Sequence, residues 1–183
     1  MPRNLLIICI LVLVTVSCKS PEARRPVKSS SGSFITESVD RNKKIYEQER
    51  AEIAAIIKEN EDRSYIASKS GFWYYYVVKD STVGQVPRLG DTVTFKYDIK
   101  KLNGTIIVSK EENGIQNYII DRTNQELISG IRDGLKIMKV GETITFLFPS
   151  YKAFGYYGIE NKLGTNVPIQ STVTLETIQS QEN

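Results

Sequence analysis

Between residues 91 and 100 apolar and polar side chains alternate, with Val93, Phe95, Tyr97 and Ile99 on one face and mostly Thr and Lys on the other. That is the period of a half-buried strand. The alternation returns over 142–148 through Ile144, Phe146 and Phe148, and shorter β-prone runs lie at 72–78 (FWYYYVV), 105–108, 116–120 and 172–178. Between 123 and 138 the period becomes helical, with Leu127, Ile128, Ile131 and Leu135 on one side and Gly141 closing the segment. Residues 85–90 and the Gly-, Tyr- and Asn-bearing stretch 149–168 read as loops. Several antiparallel strands with one short helix make an α+β domain. The helix must cover the apolar face of the sheet, since Val93, Phe95, Ile144 and Phe146 would otherwise stay wet.

Upstream, residues 37–68 are dense in Glu, Lys and Arg and carry a thin apolar stripe of Ile45, Ile53, Ile56 and Ile57 at helical spacing. The stretch reads as a charged helix serving as a spacer or docking element. Too few heptads are filled for a coiled coil, and dimerisation through this helix stays open. Before it, residues 19–33 (KSPEARRPVKSSSGS) have almost no apolar content and suit a solvated tether.

The chain begins MPRNLLIICILVLVTVSC: one positive charge at Arg3, an apolar run, then small residues before Cys18. This is the order of a secretory signal peptide. The apolar run is shorter than the ~20 residues a permanent bilayer anchor needs. A small residue directly before the cysteine resembles the lipobox of bacterial lipoproteins, although Thr15 stands where that pattern prefers Leu. On this reading Cys18 becomes the acylated first residue. Two or more acyl chains, at ~0.8 kcal/mol per buried methylene, give a stable anchor. The expected organisation is therefore a signal peptide over 1–17, a tether over 18–36, a charged helix over 37–70 and a folded domain over 71–183 with its core at 85–180. The expected location is the cell envelope, lipid-anchored in the outer membrane and facing the periplasm.

Charge and residue inventory narrow the chemistry. The 183 residues include 24 Lys and Arg against 21 Asp and Glu, a formal charge of +3. That balance is too weak to argue for nucleic acid, and no basic stripe with interleaved aromatics is present. The chain contains no histidine, which excludes Ser-His-Asp and Cys-His nucleophile systems and most zinc sites. No Gly-rich phosphate loop is found. Of the two cysteines, Cys9 lies inside the leader, so the mature chain can form no internal disulfide.

Five strings occur in a telling order. Gly90-Asp91-Thr92-Val93 leads to Tyr97. Gln125-Glu126-Leu127-Ile128-Ser129-Gly130-Ile131 is followed by Gly134. Met138 is followed by Gly141-Glu142, and Pro149-Ser150 leads to Ala153-Phe154-Gly155. Val167-Pro168 precedes Val173 and Leu175. Together they resemble the FKBP-type peptidyl-prolyl cis/trans isomerases, whose fold wraps an antiparallel sheet around one short helix. With its leader, charged helix and Trp73-Tyr74-Tyr75-Tyr76 run, the whole chain is also similar to the gliding-motility-associated isomerase lipoproteins of Bacteroidetes.

The resemblance implies an isomerase acting on proline-containing segments of exported proteins, with no cofactor and no metal. Turning a prolyl amide costs ~20 kcal/mol because resonance is lost, but no bond breaks and no proton must move. A catalyst needs only to bind the twisted amide better than either planar form. A histidine-free, apolar cavity can do so. By resemblance the catalytic wall is Tyr97, Ile128 and Phe154, with Ile107, Tyr118, Leu127, Ile131, Val167 and Leu175 completing the substrate-binding surface. From periodicity alone most of these positions read as ordinary core.

Three departures from the family pattern matter. Ile131 stands where a tryptophan usually forms the pocket floor. Phe154 replaces a tyrosine whose hydroxyl contacts ligand, a loss of ~1 kcal/mol. Val108 occupies the place of the pocket aspartate. They imply a more apolar site, weakened turnover and weak binding of macrolide inhibitors. They also keep open a non-catalytic binding module on the same fold. The family uses a free N–H at the Ile128 position to hold the substrate carbonyl. The T-x-x-E string Thr123–Glu126 is a capping box that would start the helix early and consume that donor; the resemblance implies instead a cap at Ser129, the start expected here, which would leave it free.

Overall fold

The computed structural model describes residues 31–80, 84–122 and 127–180, with side chains from residue 34 onward. The chain divides into two compact units, residues 1–38 and 39–183. Helix α1 spans Ser31–Glu59. In chain order there follow β1 (Ile66–Ala67), β2 (Trp73–Val78), β3 (Thr92–Tyr97), β4 (Ile99–Lys101), β5 (Ile106–Val108), a four-residue helix α2 (Lys110–Asn113), β6 (Gln116–Ile119), α3 (Ser129–Leu135), β7 (Thr143–Phe148), a 3-10 turn (Ser150–Lys152) and β8 (Ile169–Gln179). The strands form one antiparallel sheet in the order β1-β2-β7-β8-β3-β6, with β4 pairing both β5 and β8. The expected α+β architecture, a sheet around one short main helix after a charged N-terminal helix, is the observed one.

Strand alternation sets the core. In β7, Ile144, Phe146 and Phe148 point to the α3 side, while Leu147 points to the α1 side. Phe146 and Phe148 stack at 5.3 Å, and Phe72 meets both edge-on at 5.6 and 5.4 Å. Helix α3 lies directly on this layer because it presents glycines there. A Cβ at Gly130 would come within 2.6 Å of the Phe148 ring, and one at Gly134 within 2.8 Å of Phe146. Only the missing side chains permit so close an approach.

The strand that sequence alternation places over 91–100 is broken at Asp98. Its carboxylate accepts from the Thr172 amide at 2.8 Å and pairs with Lys100 at 2.7 Å, and its carbonyl accepts from Ser171 Oγ at 2.6 Å. This buried polar residue fixes the junction of β3 and β4.

Some boundaries differ from the periodicity. Helix α1 begins at Ser31 and stops at Glu59, rather than covering 37–68. Asn60 ends it by donating through Nδ2 to the Ile56 carbonyl at 2.8 Å. Beyond it, Ile66 and Ala67 pair with Tyr74 and Trp73 across a turn closed by Gly71 at φ +84°. The apolar stripe of α1 is real but short: Ile53 is fully buried against Leu102 and Leu147, with Ile56, Ile57, Tyr65 and Trp73 around it. Of the helical period over 123–138, residues 123–126 lie outside the described residues and the described helix is Ser129–Leu135; a second short helix, α2, was not legible as such.

Candidate functional site

The apolar candidates gather into one cluster. Ile131, Leu175 and Tyr118 are among its buried members, at 0, 0 and 9% exposure. Tyr97, Ile107, Val108, Leu127, Ile128, Phe154 and Val167 are half-buried and packed against it. The division is informative. Three residues form a floor shared with the core, and the others make an apolar surface that solvent still reaches. Tyr97 ends β3, Ile107 lies in β5, Ile128 precedes α3, and Phe154 and Val167 flank the loop 155–166. Residues distant in sequence thus meet because β3, β6 and β8 are paired neighbours.

Ile128 lies outside the helix, at φ −55° and ψ 143°, and α3 starts at Ser129. The Ile128 carbonyl accepts from the Arg132 amide at 3.2 Å. Among the described residues the Ile128 N–H donates to nothing. The cap is therefore Ile128 itself and not Ser129, whose hydroxyl instead donates to the Lys152 carbonyl at 3.3 Å. The capping-box string Thr123–Glu126 lies outside the described residues, but Leu127 and Ile128 do not continue any helix from it.

The polar groups of the site are few. Burial pushes the Tyr97 phenol above the usual tyrosine value, and the neighbouring Asn113 side chain partly offsets this. Asn113 Nδ2 also donates to the Tyr97 carbonyl at 3.0 Å. The Tyr97 ring stacks on Phe95 at 5.7 Å. The Tyr118 hydroxyl is buried without a hydrogen-bond partner among the described residues, a condition that costs ~1–3 kcal/mol. Val108 packs against the cluster as an apolar residue. Asn113 went unread in the sequence, although Ser109-x-x-Glu112 is a capping-box string. The Ser109 hydroxyl accepts from the Glu112 amide at 3.1 Å and starts the helix that carries Asn113.

Hydrogen bonds, an aromatic contact and an ion pair hold the loop over 149–168. The Ser150 carbonyl accepts from the amides of Ala153 and Gly155, both at 2.9 Å, which brackets Phe154. The Asn166 amide donates to the Gly155 carbonyl at 2.7 Å, bringing the start and end of the loop together beside Val167. On the outer side, Glu49 of α1 accepts from the Ser150 amide at 2.8 Å and from its hydroxyl at 2.5 Å. Tyr151 donates to the Gly71 carbonyl at 3.0 Å and touches Tyr46 ring to ring at 5.6 Å. Lys162 pairs with Glu112 of α2 and holds that carboxylate below its ordinary pKa. Tyr156 and Tyr157 stand exposed beyond Phe154.

An apolar, histidine-free surface beside the Ile128 N–H, unclaimed among the described residues, favours binding over proton transfer. Comparison with known proteins names it. The family model for the FKBP-type peptidyl-prolyl cis-trans isomerase matches residues 84–177. The chain belongs to the FKBP-type peptidyl-prolyl cis-trans isomerase family. A curated relative, "Probable FKBP-type peptidyl-prolyl cis-trans isomerase FkpA" of Neisseria meningitidis serogroup B, is 28% identical over 129 residues, which are 70% of this chain and 46% of that protein. The chain thus spans about half the length of that FKBP-type relative. Two solved structures share the fold. A peptidyl-prolyl cis-trans isomerase from Pseudomonas syringae pv. tomato aligns with a TM-score of 0.60 at 19% identity, over 75% of this chain and 96% of that one. FkpA from Escherichia coli aligns at 0.55 and 20% identity, over 97% of this chain and 82% of that one.

Proposed function

We propose that this FKBP-type chain isomerises Xaa–Pro bonds and so assists the folding of exported proteins in the cell envelope. The observation that carries the reading is the Ile128 N–H, uncommitted among the described residues and set beside a half-buried apolar wall. A prolyl amide twisted out of plane has a less dipolar carbonyl than a planar one. Transfer from water to a surface of Tyr97, Ile107, Phe154 and Val167 therefore disfavours the twisted form least. The Ile128 N–H holds the carbonyl of the bound segment, and differential binding of the twisted amide lowers the barrier. The unpaired Tyr118 hydroxyl is a further donor in the same cluster. Ile131, Phe154 and Val108 leave fewer polar contacts than the family pattern provides, so turnover is weak.

A proline-limited refolding assay on the full chain tests this, together with Ile128→Pro and Ile128→Ala. The Ile128 backbone already has the φ of a proline, so Ile128→Pro deletes the donor without forcing the chain. Ile128→Ala keeps the donor and removes the side chain. The expected result is acceleration by the parent chain, with Ile128→Pro about tenfold or more below Ile128→Ala. No acceleration at enzyme concentrations comparable to substrate would sink catalysis.

Val108 and Phe154 favour a second reading, a binding module that keeps the fold and holds unfolded segments without turning them. Suppression of aggregation by a parent chain that does not accelerate refolding selects it. The lipid anchor at Cys18 and the link to gliding machinery rest on the leader, the charged helix and the Trp73–Tyr76 run alone. Mass analysis of the mature N-terminus tests the anchor.

A further inference from the structure

The one carboxylate buried on the α1 side has no catalytic or ion-pairing role among the described residues. Glu49 is 5% exposed and makes no salt bridge there. Its two oxygens are instead filled by the amide and the hydroxyl of Ser150, a residue 101 positions away. Removing a carboxylate from water is costly unless charge-assisted hydrogen bonds compensate, so this contact forms as a pair or not at all. Ser150 in turn accepts through its carbonyl from Ala153 N–H and Gly155 N–H, the amides on either side of Phe154. A short relay thus runs from the helix, through one serine, to the backbone that aims an aromatic wall residue.

On that side the loop is otherwise tied through Tyr151, to the Gly71 carbonyl and the Tyr46 ring. A hollow of about 520 Å3 lies between Ile45 and Tyr46 of α1 and the Tyr151, Gly155, Tyr156 and Asn166 stretch of the loop. Without the carboxylate, Ser150 loses both of its bonds from α1.

We propose that Glu49 is a positioning residue of the isomerase site: through Ser150 it fixes the backbone around Phe154, which makes α1 a working part of the site and not a spacer. The rate consequence rests on the isomerase reading above; the positioning itself does not. Ile53 provides the control, because it lies one turn further along α1, is fully buried, and packs on Leu102 and Leu147 away from the loop.

The full chain is compared with Glu49→Ala, Glu49→Gln and Ile53→Ala by turnover of a short proline peptide and by amide exchange at Ala153 and Gly155. Glu49→Ala lowers kcat/KM about tenfold or more, since small displacements far from the chemistry carry such penalties. Glu49→Gln, which retains one accepting oxygen, falls between it and the parent. Ile53→Ala, which keeps both Glu49–Ser150 bonds, lowers overall stability and changes kcat/KM and both amides less than Glu49→Ala does. Should Glu49→Ala fail to fold, Glu49→Gln carries the comparison. A folded Glu49 variant with the parent's turnover and exchange overturns the proposal, as does an equal effect from Ile53→Ala. If the parent shows no turnover, the isomerase reading fails, and faster exchange confined to the Glu49 variants still decides the positioning claim.

Discussion

The two sides of the sheet are held in different ways. On the α3 side sixteen buried apolar residues form one continuous core, and α3 sits on stacked phenylalanines through glycine contacts. Among the described residues on the α1 side, Ile53, Leu102 and Leu147 are buried together, and the Glu49 carboxylate supplies a specific contact beside the Tyr46–Tyr151 ring pair. Apolar burial is large but non-directional. It fastens the α3 side without needing any one hydrogen bond, and it leaves the half-buried rim that a peptide can occupy. Where apolar area is scarce, register must come from a directional group. Glu49 supplies it.

The sharpest way to break this comparison is Phe146→Ala. It should cost about 3–5 kcal/mol in denaturant unfolding, because a ring locked between Phe72 and Phe148 leaves a cavity that the sheet cannot close. Ile53→Ala should cost about 2–3 kcal/mol, the low end for such truncations, since a three-residue cluster can readjust. Equal losses would mean that the two sides are fastened alike. At the half-buried apolar wall, Phe154→Tyr should leave stability unchanged and raise kcat/KM a few-fold, about 1 kcal/mol of added hydrogen bonding. A steady-state assay against the parent reads this, and a loss of activity would place Phe154 elsewhere than against the substrate.

The smallest expected effect is that of pH. The chain has no histidine, and burial raises the Tyr97 pKa. The unfolded chain therefore ionises this phenol first as pH climbs. The stability it contributes is fully present below the unfolded tyrosine value and is lost as pH rises through the folded one. Turnover and stability should both stay flat from about pH 6 to 9. A bell-shaped rate profile in that window would demand a titrating group that the wall residues among the described residues do not include.

How much was legible follows the range of each interaction. Val93, Phe95, Ile144 and Phe146 revealed their facing by alternation, because burial of one sheet face acts residue by residue along a strand. The wall positions Tyr97, Ile128, Phe154 and Val167 emerged only from the order of short strings, since periodicity alone assigns them to core. The ends of α1 were misplaced because the charged composition continues past Asn60 while Ile66 turns to pair with β2. Asn113 hid in a helix of a single turn, too short for any period to show.

By itself the sequence determined the strand faces, the places of the glycines in the helix string and the lack of any histidine. These are local properties, written in neighbouring residues. Tertiary structure alone decided that the helix begins after Ile128, so that its amide stays unclaimed among the described residues, and that Glu49 meets Ser150. The close seat of α3 on Phe148 depends on what the sheet places beneath Gly130, and a pairing across 101 residues depends on where two elements are brought by the whole sheet. No spacing pattern along a chain encodes either.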